Sequence, residues 1–325
     1  MSTANVTIHS SQFPDNVRRD LLESLRSRAI NHKFHYQTYK QAQKWLALHE
    51  AHSPARTDTD CQATYDRAFA ATAVRLMEVP VHLIALGCGG GQKEARLLHF
   101  LALARGQQIH FTPSDVSVPL VLTARQAALE TPDVIQGEAV VCDLAADEDP
   151  APVFSRPCVD SRTRLITFFG MIPNFEPSLI LPRLAALAGR EDWLLLSANL
   201  IPSHDDAAMH RILPGYDNPL TRDWLTTFLF DLGFTPEDGD LRFAIAQSDA
   251  GHRRIVAHFY LSKGRALTVE GESFAFKAGE RIRLFFSCRY TPDQIRALLA
   301  AERLQVRQQW IAASGEEGVF LCQKE

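Results

Sequence analysis

VHLIALGCGGGQK, residues 81–93, is an unbroken apolar run that stops at a glycine-rich turn. An apolar run without alternation reads as a strand buried on both faces, as in a parallel sheet covered by helices. QKEARLLHFLALARG (92–106) follows as an amphipathic helix stopped by Gly106. The same alternation continues with IHFTPSD (109–115), a helix near 119–130, EAVVCDL (138–144), RLITFFG (164–170), a helix near 177–189 and WLLLSANL (193–200). Five apolar strands with helices between them predict a doubly wound parallel α/β sheet.

Outward from this unit the patterns change. Residues 15–50 have helical spacing, and SPARTDTD (53–60) reads as a polar break. Residues 201–286 open with helical and loop sequence. They turn strand-rich in LRFAIAQSD, RRIVAHFYLS, RALTVEG and FAFKAGERIRLFF. TPDQIRALLAAE (291–302) is a helix with Thr291 as N-cap and Pro292 at its first position. LQVRQQWIAA and GVFLCQK then form a hairpin around SGEEG. A terminal hairpin after five wound strands is the closing pattern of the methyltransferase variant of the Rossmann sheet. The expected division is therefore 61–200 plus 287–325 as a cofactor-binding domain, with 1–60 plus 201–286 as an inserted α+β substrate-binding domain.

The chain has 325 residues, 46% hydrophobic and 22% charged, which excludes disordered, collagenous and coiled-coil classes. A net charge of -4 removes the chain-wide basic footprint of nucleic-acid binding. The start, MSTANVTIHSSQFPDN, lacks a signal-peptide core, and stretches such as LLHFLALA fall short of the ~18 apolar residues of a membrane span. Cys61, Cys88, Cys142, Cys158, Cys288 and Cys322 form no CxxC pair. Reduced thiols in a cytoplasmic, monomeric protein are expected. His35, His52 and His204 stand at no ligand spacing, so no metal is expected.

Ligands of such sheets bind outside the carboxyl ends of the strands. The first strand ends with Gly87, Gly89, Gly90 and Gly91, but Gln92 stands where a dinucleotide fingerprint needs glycine. The second ends at Asp115, an acceptor for ribose hydroxyls in NAD and S-adenosylmethionine (SAM) enzymes alike, or else a helix cap. The third ends at Asp143, placed to accept from an adenine amino group, or else a solvated loop acid before ADEDP. Asp143 favours SAM over NAD.

At these residues the chain resembles the histidine Nα-methyltransferases of ergothioneine biosynthesis, as a divergent member. LGCGGGQKEARLL is similar to the family's LGSGTSEKTRLL, VVCDL to VVGDF and FFGMIPNFEP to FLGSTIGNLEP. PSDVS matches its second-strand motif, SCRYTPDQIRALL its SCKFTPE segment and HKFHYQTY its PKWFYD segment. The resemblance implies a class I SAM-dependent methyltransferase. Gly87, Gly89 and Lys93 would hold the methionine end of SAM, Asp115 its ribose, and Asp143 with Leu144 its adenine. Asn174 would hold the acceptor's amino and carboxylate groups, Tyr216 its carboxylate, and Tyr36 would lie near its amine. Ser287 would line the amino-acid pocket.

Departures from the family pattern bear on the acceptor. Phe285 stands where the histidine enzymes carry a Glu that recognises imidazole, and Ser53 or His52 where a pocket tyrosine is expected. Pro173 replaces a glycine before Asn174, and Ala257 falls where a larger pocket residue is expected. A phenylalanine cannot accept from an imidazole N–H, and a buried unpaired donor costs about 1–3 kcal/mol. The expected activity is N-methylation of an amino acid or amino-acid-like amine other than histidine. The alternatives are a non-amino-acid acceptor (oxygen, carbon or another nitrogen), a non-catalytic SAM-binding module, and a nucleotide-dependent oxidoreductase. Asn174 and Tyr36 are the expected catalytic residues, and Asn174, Tyr216, Phe285, Ser287 and Ser53 the expected acceptor contacts.

Overall fold

The structure, a computed structural model, describes residues 3–105, 108–154, 163–202, 206–248 and 250–325. Gly106, Cys158 and His204, named above, lie outside the described residues. The chain opens with strand β1 (Val6–Ile8) and helices α1 (Pro14–Ser27), α2 (Tyr39–His52), α3 (Pro54–Thr57) and α4 (Thr59–Arg75). The wound part runs β2 (Val81–Leu86), α5 (Gln92–Arg105), β3 (Ile109–Asp115), α6 (Val118–Ala128), β4 (Val134–Gln136), β5 (Ala139–Val141), α7 (Ala151–Phe154), β6 (Thr163–Phe168), α8 (Pro177–Leu187) and β7 (Trp193–Asn199). Next come α9 (Asp206–Tyr216), α10 (Pro219–Asp231), β8 (Gly239–Gln247), β9 (Arg253–Leu261), β10 (Arg265–Val269), β11 (Glu272–Phe276) and β12 (Arg281–Arg289). Helix α11 (Pro292–Ala301) and strands β13 (Leu304–Ile311) and β14 (Glu317–Lys324) close the chain.

The main sheet has nine strands in the order β1-β5-β3-β2-β6-β7-β14-β13, with β4 beside β3. The wound strands pair in parallel, and β14 enters antiparallel between β7 and β13. This is the expected α/β arrangement with its closing hairpin. Alternate residues of β2 feed opposite faces: Ile84 and Leu86 join one core, Leu83 and Ala85 the other. Helices cover both faces, so β2 is buried along its whole length. Helix α11 starts on a reciprocal capping box of Thr291 and Gln294 with Pro292 at its first turn, as expected.

Strands β12, β9 and β8 form a separate antiparallel sheet, and β10 and β11 a hairpin. Leu22 and Leu25 of α1, Trp224 and Phe228 of α10, and Phe259 and Ile282 share a third core. The two sheets meet at one seam. Leu200, just after β7, bridges to Tyr290, and Ile201 N donates to Tyr290 O at 2.9 Å.

Several local expectations change. Residues 6–8, expected in the substrate unit, pair with β5 and extend the main sheet; an edge strand needs only backbone partners, so no apolar run marks it. Strand β12 crosses the 286/287 boundary and stays paired with β9 through Arg289. The helical stretch 15–50 breaks at Arg28, whose left-handed φ of 58° turns the chain so that Ile30 N reaches Arg283 O at 2.8 Å. SPARTDTD, read as a polar break, carries α3 and the start of α4. Asp58 accepts from Cys61 N at 2.8 Å as N-cap of α4, which buries Tyr65 and Phe69 against the main sheet. FAFKAGERIRLFF divides into β11 and β12 around a turn with Gly279 at φ 84°. Among the described residues no helix is long and apolar enough to cross a membrane.

Candidate active site

A cavity of about 670 Å³ opens where β2, β3 and β5–β7 end, roofed by α2, α9, α10 and β12. Gly87, Gly89, Lys93, Asp115, Asp143, Leu144, Tyr36, Asn174, Tyr216, Phe285, Ser287 and Ser53 all line it. The site residues expected from sequence are therefore brought to one cleft.

One half of the cleft is built mostly from backbone. Gly87 and Gly89 adopt φ of 62° and 52°, which side chains rarely occupy. A Cβ on Gly87 would stand 2.7 Å from Met171 Cε, and one on Gly89 would collide with the Trp45 ring. The turn is held from below by Asp115. Its Oδ2 accepts from Gly89 N at 2.9 Å and its Oδ1 from Ser117 N at 3.2 Å. The N-cap of α6 is Ser117, so Asp115 is not the helix cap. Burial pushes the Asp115 carboxyl up to about 6, against the pull of the Gly89, Ser117 and Val116 amides. These backbone donors leave lone pairs of this carboxylate for ligand hydroxyls.

Asp143 Oδ1 accepts from Ala145 N at 2.8 Å, while the buried Oδ2 has no hydrogen-bond partner. Lys33, buried and ion-paired with Asp20, stands 3.6 Å from that oxygen. Burial raises the Asp143 carboxyl; Lys33 and the Ala145 amide act against it. An oxygen on a cavity wall that makes no hydrogen bond and only the longer ion pair with Lys33 keeps a lone pair for an incoming N–H donor. Leu144 is buried beside it, and its carbonyl accepts from Arg183 Nη1 at 2.7 Å. Lys93 Nζ lies 4.7 Å from the Tyr65 ring centroid. Tyr65 in turn donates to Glu317 at 2.5 Å and contacts Ser197 Oγ at 2.8 Å.

The other half is built from side chains. Phe285 lies 6.0 Å from the Tyr216 ring and 6.2 Å, edge-on, from Trp224. Phe286 points to the other side of β12, into the core beside Phe168, and does not line the cavity. Ala257, expected in the pocket, is instead fully buried in the core, directly across the strands from Phe285. Ser53 caps the end of α2 and lines the cavity together with His52. His35 is bound to Leu284 O at 2.7 Å inside the core. Among the described residues no cluster of metal-ligating side chains occurs.

Tyr216 Oη stands 2.9 Å from Ser287 Oγ and accepts from Asn199 Nδ2 at 3.3 Å and from Arg289 Nη2 at 3.0 Å. Both lone pairs of the phenol are then used, so its proton is offered to Ser287 or to a ligand. Asn174 ends the turn Ile172–Asn174 and is half-buried at the cavity wall. Helix α8 is preceded by Glu176, so Asn174 does not cap it, and its carboxamide is engaged by no described residue. Tyr36 packs between Trp45 and Trp224, with ring centroids at 5.9 and 5.4 Å. Burial and the nearby Asp115 charge raise its hydroxyl far above the ordinary range.

Sequence reasoning missed Trp45, Trp224, Asn199 and Arg289. Asn199 ends the strand WLLLSAN, the same polar strand-end signal that gave Asp115. Arg289 is the last residue of β12, which also carries Arg281 and Arg283, so its charge does not stand out. The two tryptophans leave no local signal, because only folding turns α2 and α10 toward the cleft.

The model of the family described as histidine-specific methyltransferase, SAM-dependent, matches residues 17–324. The chain belongs to this family. The methyltransferase is 28% identical over 254 residues to a histidine N-alpha-methyltransferase of Mycobacterium tuberculosis (strain CDC 1551 / Oshkosh), covering 74% of this chain and 75% of that protein. Among solved structures, it is similar to magnesium protoporphyrin IX methyltransferase of Synechocystis PCC 6803 (13% identity, TM-score 0.43, 88% and 95% of the two chains). It is also similar to a putative methyltransferase of Thermobifida fusca YX (11% identity, TM-score 0.45, 89% of each chain). The protein is thus a SAM-dependent small-molecule methyltransferase. The glycine cradle and the orphan Asp143 oxygen fit that cofactor: a backbone turn with no room for Cβ, and a buried acceptor awaiting a donor.

Proposed function

We propose that this methyltransferase transfers the SAM methyl group to the amine of an amino acid or amino-acid-like molecule other than histidine. The reading keeps the cytoplasmic, monomeric setting expected from the sequence. It assigns acceptor recognition to the unit formed mainly by 1–60 and 201–286. The observation that carries it is Phe285, on the cavity wall against Tyr216 and Trp224. The resemblance implies a carboxylate there for imidazole. An aromatic ring cannot replace that acceptor, so histidine would bury an unpaired N–H at a cost of about 1–3 kcal/mol. An apolar or aromatic side chain would lose nothing there.

Gly87, Gly89 and Lys93 would hold the methionine end of the cofactor, Asp115 the ribose and Asp143 with Leu144 the adenine. Bound SAM supplies an electrophilic methyl on a sulfonium. The chain's own part is positioning, which supplies most of the rate when the electrophile is already activated. The Asn174 carboxamide, engaged by no described residue, would orient the acceptor amine. Tyr36 keeps its proton, because burial raises it far above neutral pH. It therefore serves as a hydrogen-bonding partner that aims the nitrogen lone pair, and the amine proton leaves to water. Tyr216 and Ser287 would hold the carboxylate end, and Ser53 borders the mouth.

A methyl-transfer assay read by mass spectrometry tests this, with purified protein, SAM, the twenty amino acids, aromatic amines and histidine derivatives. The expected product is a methylated amino acid other than histidine. Efficient trimethylation of histidine overturns the reading. Tight SAM binding without methylation of any amino acid or amine offered also overturns it, in favour of another acceptor class or a non-catalytic role.

A further inference from the structure

Arg289 is buried, 8% exposed, on the wall of the cleft. Its charge has no counter-ion: among the described residues no carboxylate lies within ion-pair distance. Its Nη1 donates to two neutral carbonyls, Leu200 O at 3.1 Å and Glu316 O at 3.3 Å. Its Nη2 donates to the neutral Tyr216 hydroxyl at 3.0 Å, and its buried Nε has no partner. Buried charges are normally paired, because taking an ion out of water costs several kcal/mol. A guanidinium held in place by neutral acceptors, with no counter-ion and a cavity beside it, presents an uncompensated positive charge to an anion in that cavity. A carboxylate is such an anion, and the Tyr216 hydroxyl can donate to it.

We infer that Arg289 is a specificity-determining residue that selects acceptors bearing a carboxylate. It supplies the positive charge and fixes the Tyr216 hydroxyl as a donor toward that group. The inference rests on the amine-methylation reading above and extends it. With both phenol lone pairs taken by Arg289 and Asn199, Tyr216 offers only its proton. The seam between the sheets builds this arrangement: Leu200 and Glu316 flank the β7 and β14 ends of the main sheet, and Arg289 comes from the second sheet. The carboxylate could equally belong to the methionine end of SAM, so the test separates the two sources.

Binding to the full chain is measured by calorimetry with S-adenosylhomocysteine present. The probes are L-phenylalanine, phenethylamine, which lacks the carboxylate, and 3-phenylpropionate, which lacks the amine. SAM binding is measured separately. Wild type is expected to bind both carboxylates, and L-phenylalanine more tightly than phenethylamine. Arg289→Met is expected to weaken both carboxylates about 10- to 100-fold, the range of a charge-assisted hydrogen bond, and phenethylamine less than about threefold. Arg289→Lys keeps the charge and is expected to retain most of the preference, which guards against a folding defect in Arg289→Met.

Equal losses for all three probes, with Arg289→Lys no better, would mark a structural residue and overturn the inference. Selective loss of SAM binding would assign the charge to the cofactor and overturn it too. Wild type binding none of the probes would also overturn it. Arg289-dependent binding of 3-phenylpropionate, without methylation of any amino acid, would keep the inference and discard the amine reading. Methylation of amino acids that Arg289→Met leaves unchanged would do the reverse.

Discussion

The two halves of the cleft are made of different materials. The side proposed for the cofactor is backbone and carboxylate: a turn of glycines with no room for Cβ, braced by Asp115 from the next strand, and the buried Asp143 beyond it. The side proposed for the acceptor is side chain: Tyr36, Trp45, Trp224, Tyr216 and Phe285, delivered by α2, α9, α10, β12 and the turn before α2. Backbone geometry tolerates little variation, whereas a wall of side chains can be refaced one residue at a time. The first half is therefore suited to one cofactor. The second can change its acceptor without changing the fold.

The strongest way to break this contrast is Gly89→Ala. A left-handed φ costs about 1–2 kcal/mol for a residue with a Cβ, and forcing that Cβ into Trp45 adds overpacking strain of about 1–3 kcal/mol. Cofactor affinity is expected to fall ~100-fold or more by calorimetry, taking methyl transfer with it. Asn174→Ala is next. Loss of amine positioning is expected to lower kcat/KM about 100-fold while SAM affinity stays within about twofold, a split visible by comparing kinetics with calorimetry.

Phe285→Glu sharpens the contrast on the acceptor side. It returns an acceptor for imidazole N–H and buries a charge against Tyr216 and Trp224. The ratio of kcat/KM for histidine to that for the preferred acceptor is expected to rise about 10- to 100-fold, read in competition assays.

The smallest effect is in pH. Asp115 titrates near 6 in the folded protein, above its ordinary value, because burial penalises the charge. Between the unfolded and folded values the folded chain takes up the proton. This group's contribution to ligand-free stability is therefore full below about pH 4 and lost as pH rises past about 6. If Asp115 holds the ribose as proposed, cofactor binding runs the other way, since protonation removes an acceptor for the ribose hydroxyls. SAM affinity is expected to weaken by up to about tenfold per pH unit below 6, so the rise in Tm on adding SAM is expected to be larger at pH 7.5 than at pH 5.

The wound sheet was legible because buried parallel strands are continuous apolar runs, and its polar strand ends stand out against them. Gly87, Gly89, Asp115 and Asp143 all follow from that rule. Asn199 obeys it too. Edge strand β1 did not show, because three residues held by main-chain hydrogen bonds need no apolar pattern. Helix α4 was hidden by its polar lead-in, which supplies caps rather than a break. On the acceptor side, resemblance brought Tyr36, Asn174, Tyr216, Phe285 and Ser287 to the same cleft. It mislaid Ala257, which shares the sheet face of Phe285 but is fully buried and does not line the cavity.

What the sequence determined by itself was the wound sheet and the residues at its strand ends, because period, strand ends and glycine turns are local properties of the chain. What only the tertiary structure decided was the acceptor half. Phe285 faces the cleft while Phe286 faces the core because a strand alternates its sides and the sheet's placement chooses between them. Arg289 meets Tyr216 and Leu200 only because two sheets join at the end of β7. Contacts between segments tens of residues apart depend on packing, and no local pattern records them.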